Sequence, residues 1–111
     1  MSNIVRHWKF QRYSAIVNLI LAIWLAVSVL CIHDYSFQET IGWIKSPINA
    51  LFLSIFFISS LMHMSLGMQV VIEDYIPNKL LRKRLIVIIK SLSWLLVICS
   101  ILLILKIIFF N

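Results

Sequence analysis

Three long apolar stretches, separated by short segments that hold most of the charged side chains, dominate the pattern of this chain. The stretches cover about 13–32, 47–76 and 85–110, and charged residues enter them only toward their ends. A helix of roughly 20 apolar residues crosses the hydrocarbon core of a bilayer, and a helix satisfies its own backbone polar groups there. The pattern therefore predicts an all-α integral membrane protein, a bundle of three transmembrane helices that form a single membrane-anchor domain.

Composition excludes the other broad classes. Hydrophobic residues make up 62% of the 111 residues and charged residues 13%, against about 45–50% and about 25% in soluble domains. A soluble domain of this length has too much surface to hide so many apolar side chains, and the same figures exclude a disordered chain. Cys31 and Cys99 fall in or beside apolar stretches without a paired spacing, so we expect buried, inert thiols. A chain that is nearly all membrane span has no room for a soluble catalytic domain, so any chemistry takes place at a cofactor in the bilayer or is supplied by partner chains.

Basic residues distinguish the two sides of the membrane. Arg6, Lys9 and Arg12 precede the first stretch with no acidic residue among them, and the segment 73–84 carries four basic residues. The segment 33–46 has one lysine against two acids. Because cytoplasmic loops carry the excess of Lys and Arg, we expect the N-terminus and segment 73–84 inside, and segment 33–46 and the C-terminus outside.

His63 lies near the middle of the second predicted span. Polar groups inside a membrane are costly and indicate function by default. Two interpretations stand: an interhelical hydrogen bond, for instance to a serine, or axial ligation of haem iron, which histidine commonly provides. At 100° per residue, Ser60 and Gly67 share its helix face, and small residues let another helix or a flat macrocycle approach closely. His7 and His33 lie near opposite interfaces, so if His63 binds haem that has two axial histidines, the other has to come from another chain.

Three further candidates lie at the end of the second span and the start of the first. Asp74 and Tyr75 close the second span, where an acid opposes the helix dipole. Two interpretations stand for these residues. They are the solvated start of a loop, or they form a site for a quinone head group, since a tyrosine hydroxyl donates a hydrogen bond to a carbonyl. About 18 Å of helix separates His63 from Tyr75. Arg12 is either a basic anchor at the membrane surface or a partner for a haem propionate, because arginine pairs with carboxylates.

Two segments resemble a known family. The segment 63–75, His-Met-Ser-Leu-Gly-Met-Gln-Val-Val-Ile-Glu-Asp-Tyr, looks like the His-x3-Gly-x6-Asp-Tyr signature of the small D-type hydrophobic anchor subunit of succinate dehydrogenase, respiratory complex II. The segment 7–16, with Gln11, Arg12, Ser14 and Ala15, resembles the start of that subunit's first helix in many bacteria. Length and the three predicted spans also match, so the resemblance covers nearly the whole chain.

The resemblance implies a membrane anchor that pairs with a second, C-type anchor subunit and docks the flavoprotein and iron–sulfur subunits. The docking face is cytoplasmic at a bacterial inner membrane, or faces the matrix in mitochondria. Haem b then lies between the two anchors, with His63 as this chain's axial ligand to the haem iron and Arg12 near the propionates. Tyr75 corresponds to a tyrosine that hydrogen-bonds ubiquinone, and Asp74 to the acid beside it. Electrons from succinate pass through flavin and iron–sulfur centres to the quinone.

Three other functions fit parts of the pattern. The related fumarate reductase anchor can lack haem, and His63 at the motif position argues against that version. A small pore-former such as a holin also has three spans and basic ends, but it leaves His63, Asp74 and Tyr75 without a role. A proton-coupled transporter needs a carboxylate deep inside a span, and Glu73 and Asp74 lie only at the end of the second one.

Overall fold

The computed structural model describes residues 3–111, which form four helices. These are α1 (Asn3–Ile32), α2 (Phe37–Lys45), α3 (Pro47–Tyr75) and α4 (Lys79–Phe110). The helices α1, α3 and α4 are long and apolar enough to cross a membrane, and the molecule measures 50 × 25 × 25 Å. Residues 3–111 contain no strand. The prediction of an all-α protein with three membrane spans is confirmed.

Two of the long helices begin earlier than the apolar pattern predicts. α1 begins at Asn3 rather than at residue 13, and α4 begins at Lys79 rather than at residue 85. The additional turns contain several Lys and Arg residues, which are good helix formers, so each helix continues beyond its apolar part. The Asn78 side chain caps α4 by accepting hydrogen bonds from the amides of Leu80 and Leu81, at 3.0 and 3.1 Å.

The segment 33–46, expected to be a loop, contains the helix α2. Ser36 begins it with a capping box: its hydroxyl accepts from the Glu39 amide at 3.2 Å, and the Ser36 amide donates to the Glu39 carboxylate at 2.7 Å. The Ser-x-x-Glu spacing is visible in the sequence, but a helix of nine residues is too short to be found by a search for membrane spans. α2 packs against α3 and α4, and its Trp43 stacks on Trp24 of α1 with ring centroids 5.8 Å apart.

The core is thin, and its largest buried cluster lies at the end of the bundle that α2 covers, called here the α2 end. Ala50, Leu53 and Ile104 are buried there, and Trp24 and Trp43 pack against them. α3 is the central helix, because it packs against both α1 and α4. Most other apolar side chains are exposed on the surface of the chain, which suits lipid or further membrane helices as neighbours.

Both thiols lie outside this core. Cys31 and Cys99 are exposed on the surface of the chain, so the prediction of buried thiols is wrong. The physical reason is the size of the bundle. In a bundle of three helices, each helix buries only a narrow stripe of its surface against the others. An apolar position in a membrane span therefore faces outward more often than inward.

Candidate functional site

A row of polar side chains joins α1 to α3 inside the membrane-spanning part of the bundle. We call it the polar seam; it consists of Gln11, Ser14 and Asn18 of α1 and Ser59, Ser60 and His63 of α3. Ser14 Oγ and His63 Nδ1 lie 2.9 Å apart. Ser60 donates to Asn18 Oδ1 at 3.2 Å, and Ser59 donates to the Ser14 carbonyl at 3.4 Å. Interhelical hydrogen bonds in a membrane contribute about 0.6 kcal/mol each on average, so the seam stabilises one register of α1 against α3.

The hydrogen bond of His63 engages one ring nitrogen, Nδ1. Ser14 is buried, and its hydroxyl donates its only proton to the Gln11 carbonyl at 3.0 Å. With its proton used in this way, Ser14 Oγ can accept from His63 in the tautomer that carries the imidazole proton on Nδ1. In that tautomer Nε2 carries the lone pair, and no hydrogen bond joins Nε2 to any of residues 3–111. This is the state of a metal-binding histidine, which ligates through one nitrogen while a hydrogen bond holds the other.

The face that His63 shares with Ser60 and Gly67 is turned toward α1. A Cβ added at Gly67 would meet the Gln11 Nε2 atom at 3.8 Å, and Ser60 is bonded to Asn18 of α1. The close approach that these small residues permit is therefore made by α1, and helix packing explains both of them. His63 itself is only partly buried.

Arg12 lies close to Ser14 along α1 but on the other side of the helix. Two residues correspond to about 200° of rotation and a rise of about 3 Å. The Arg12 guanidinium carbon lies 5.3 Å from the centroid of the Trp8 ring, a cation–π arrangement, and the Arg12 side chain is exposed. Its charge is therefore available to an anionic group that meets α1 from outside.

Asp74 and Tyr75 close α3 at the end of the bundle where α1 begins and most basic residues gather, called here the basic end. Asp74 is exposed, and Tyr75 is 78% exposed. Arg82 of α4 offsets the unfavourable position of the acid at the helix C-terminus. Its side chain donates to the carbonyls of Ile76 and Pro77, at 3.0 and 3.3 Å, and so places a cation beside the carbonyl end of α3. The Tyr75 hydroxyl is left accessible at the surface.

The candidate residues do not form one pocket within this chain. His63 and Tyr75 are about 18 Å apart along α3, and Arg12 lies on the side of α1 away from Ser14. Among residues 3–111, no group of three or more His, Cys, Asp and Glu side chains is placed to hold a metal ion. One histidine with a free nitrogen fits an axial position on haem iron better than a bare metal ion, which needs several protein ligands. Within residues 3–111, these side chains therefore do not make a complete cofactor site.

The sequence alone did not single out a role for the α1 half of the polar seam. A signal was nevertheless present. His7, Gln11, Ser14 and Asn18 follow one another at intervals of four, three and four residues, the spacing of one helix face. In an otherwise apolar membrane helix, a polar face of this kind indicates contact with another helix.

Known proteins resemble the chain along most of its length. Residues 4–105 match the family described as succinate dehydrogenase/fumarate reductase transmembrane subunit. The succinate dehydrogenase hydrophobic membrane anchor subunit of Rickettsia bellii is 42% identical over 87 residues, which are 78% of this chain and 70% of that protein. The protein of the same name in Rickettsia conorii is 38% identical over 85 residues (76% and 68%). That of Coxiella burnetii is 31% identical over 77 residues (69% and 67%).

A match of this extent establishes the class. The chain belongs to the family of succinate dehydrogenase/fumarate reductase transmembrane subunits, and the resemblance found in its sequence is confirmed. Within that family, it is similar to the hydrophobic membrane anchor subunit of succinate dehydrogenase. The bacterial relatives and the three spans identify a multi-pass protein of the bacterial inner membrane.

Proposed function

We propose that this chain, together with the C-type anchor subunit, docks the flavoprotein and iron–sulfur subunits of succinate:ubiquinone oxidoreductase at the basic end of the bundle. The observation that carries the proposal is the family match over residues 4–105, a range that includes His63, Asp74 and Tyr75. The exposed apolar surface of the three long helices supports it, because a second membrane chain can cover part of that surface. The chain is not catalytic alone.

His63 is the proposed axial ligand that this chain provides to the iron of haem b. The support is the hydrogen bond between Ser14 and His63 Nδ1, which can orient the ring while Nε2 has no partner among residues 3–111. When bound, haem b supplies a one-electron carrier within the membrane. The other axial histidine is expected from the C-type anchor subunit. His33 bonds the Leu30 carbonyl at 2.8 Å near the α2 end, and His7 lies about 10 Å along α1 from Ser14.

Arg12 is the proposed partner of a haem propionate. Its backbone is about 3 Å along α1 from Ser14, and therefore close to the level of the His63 ring. The exposed guanidinium is a bidentate donor that matches a carboxylate. Because it is already stacked on Trp8, the Arg12 side chain loses less conformational freedom when it binds.

Tyr75 and Asp74 are proposed to form this chain's part of the ubiquinone site. The accessible Tyr75 hydroxyl can donate a hydrogen bond to a quinone carbonyl, and the adjacent carboxylate can orient that donor or relay a proton. The iron–sulfur subunit would dock at the same end, so the electron path to a quinone at Tyr75 would be short. The remaining walls of the site would come from the partner subunits.

Purification of a tagged chain from its native membrane in mild detergent tests the proposal. We expect flavin, iron–sulfur clusters and haem b to copurify in one complex, and we expect that complex to reduce ubiquinone with succinate as donor. Disruption of the gene is expected to move succinate dehydrogenase activity with an artificial acceptor into the soluble fraction. A chain that purifies as a homo-oligomer without other subunits, as a pore-former would, contradicts the proposal.

The orientation of the bundle is testable with reporters of membrane side. The basic residues at one end predict that this end is cytoplasmic. Alkaline phosphatase is therefore expected to be active when fused after Asn111 or inserted between α1 and α2, and inactive when inserted at residues 76–78. A fluorescent protein that folds only in the cytoplasm is expected to give the opposite pattern. If both reporters invert, the proposed location of the quinone site is wrong.

A further inference from the structure

A cavity that shares no residue with the proposed haem and quinone residues lies where α1, α3 and α4 meet, toward the basic end. Its volume is about 380 Å³, and its lining includes Arg6 and His7 of α1 and Lys90 of α4. Within the described part of the chain, the lining contains no Asp or Glu. Two cations from different helices therefore share this space without an acid to neutralise them, which favours a bound anion.

A buried hydroxyl at the same cavity lacks a hydrogen-bond partner. Ser93 lines the cavity and is 1% exposed, and its Oγ atom has no partner among residues 3–111. Three other serines of the long helices, Ser28, Ser54 and Ser100, each donate to the carbonyl one turn earlier at 2.8 Å. Ser93 departs from this pattern, and the buried Nε2 atom of His7 is likewise without a partner. Buried polar groups are almost always satisfied, so both atoms need a partner, and a ligand in the cavity can supply it.

The rest of the lining is mostly apolar, with Asn3 and Ser65 as its two other polar residues. Phe10, Met62, Leu66 and Trp94 form walls beside the basic side chains. A ligand that covers both parts needs an anionic group joined to apolar chains. A free inorganic anion or an acidic peptide would satisfy the charges and leave the apolar walls uncovered. Basic pockets between membrane helices bind phospholipid head groups in this way.

We propose that this cavity binds an anionic phospholipid from the leaflet at the basic end. Arg6 and Lys90 hold its phosphate, and Ser93 Oγ and His7 Nε2 donate hydrogen bonds to the phosphate oxygens. The apolar walls contact the first part of the acyl chains. The proposal uses neither His63 nor Tyr75, so it stands or falls independently of the proposed haem and quinone sites.

Native mass spectrometry with defined lipid provides the test. The protein is purified with the subunits that accompany it, stripped of lipid by detergent exchange, and titrated with dioleoyl phosphatidylglycerol. We expect the double variant Arg6→Gln, Lys90→Gln to bind this lipid about thirtyfold more weakly than the wild type, since each basic side chain near a membrane surface contributes about fivefold. The matched control is Lys106→Gln, which removes an exposed lysine from the far end of the same helix and is expected to bind normally.

A second variant keeps the test decisive if the double variant does not assemble. Ser93→Ala removes one oxygen atom at a buried position and is expected to weaken lipid binding about tenfold, the cost of losing a hydrogen bond to a charged group. Dioleoyl phosphatidylcholine, which has no net charge, is expected not to compete with phosphatidylglycerol. Inorganic phosphate at millimolar concentration is also expected not to displace it.

Three results overturn the proposal. Equal binding of phosphatidylglycerol by the wild type, the double variant and Ser93→Ala would show that the cavity is not the lipid site. Displacement by inorganic phosphate would assign the cavity to a free anion. Loss of the accompanying subunits from the double variant, with lipid binding unchanged, would assign Arg6 and Lys90 to a protein contact instead.

Discussion

Replacing His63 with leucine in the purified complex is expected to abolish the low-spin b-type haem spectrum. Leucine has no atom that can ligate iron, and the chain offers no other histidine near this level of α3. Ser14→Ala tests the same site more finely. It keeps the ligand and removes the acceptor of its Nδ1 proton, so we expect haem to remain bound with an affinity about 10–100-fold lower and a shifted midpoint potential. Optical redox titration measures both effects.

Controls separate ligation from helix packing. His33→Leu removes a histidine whose one hydrogen bond within residues 3–111 is with the Leu30 carbonyl, and we expect a wild-type haem spectrum from it. Ser14→Thr keeps the hydroxyl and is expected to restore the midpoint potential. If His63→Leu leaves the haem spectrum and potential unchanged, then His63 serves only to hold α1 against α3 through the polar seam.

Tyr75→Phe is expected to lower succinate:ubiquinone reductase activity several-fold to tenfold. The substitution removes one hydroxyl that is accessible at the surface of this chain. Loss of one hydrogen bond to a neutral partner corresponds to about 0.5–1.5 kcal/mol, which sets this range. Succinate oxidation with an artificial acceptor upstream of the quinone is expected to be unchanged. Steady-state rates with both acceptors, measured on the same preparation, provide the comparison.

The chain offers a matched control for this experiment in Tyr35, which lies between α1 and α2 at the opposite end of the bundle. Tyr35→Phe is expected to have no effect on either rate. Asp74→Asn keeps the size of the neighbouring side chain and is expected to lower quinone reduction as well, because it removes the carboxylate that can orient the donor or relay a proton. If Tyr75→Phe reduces quinone at the wild-type rate and binds inhibitors with wild-type affinity, then Tyr75 is only an aromatic residue of the membrane interface.

The membrane spans could be derived from the sequence because their cause is local. Each stretch is too apolar for water and long enough for a bilayer, and the bilayer then requires a helix. Helix ends were less predictable, because the high hydropathy that marks a span falls where the charged residues begin. The helix itself continues through the basic residues that precede the first span and through Lys79–Arg84 of α4. The short helix α2 was missed for a related reason. Its capping box at Ser36 is a local signal in the sequence, but a search by hydropathy does not take capping residues into account.

The candidate site was partly predictable. His63 stands out in sequence because a polar side chain in a span is rare and costly. Its motif with Gly67, Asp74 and Tyr75 then indicates the family, and the comparisons confirm that family. The sequence thus determined the class of protein, its three spans and the residues worth testing.

Only the tertiary structure decided which side chains meet. Periodicity places Ser14 and His63 on helix faces, but it does not say that these faces oppose one another at the same depth. The same holds for Arg6 and Lys90, which lie far apart in the chain and line one cavity. Faces meet because of the register and rotation of whole helices. These depend on the summed packing and polar contacts along α3 with both neighbours, and no single segment of the sequence contains that information.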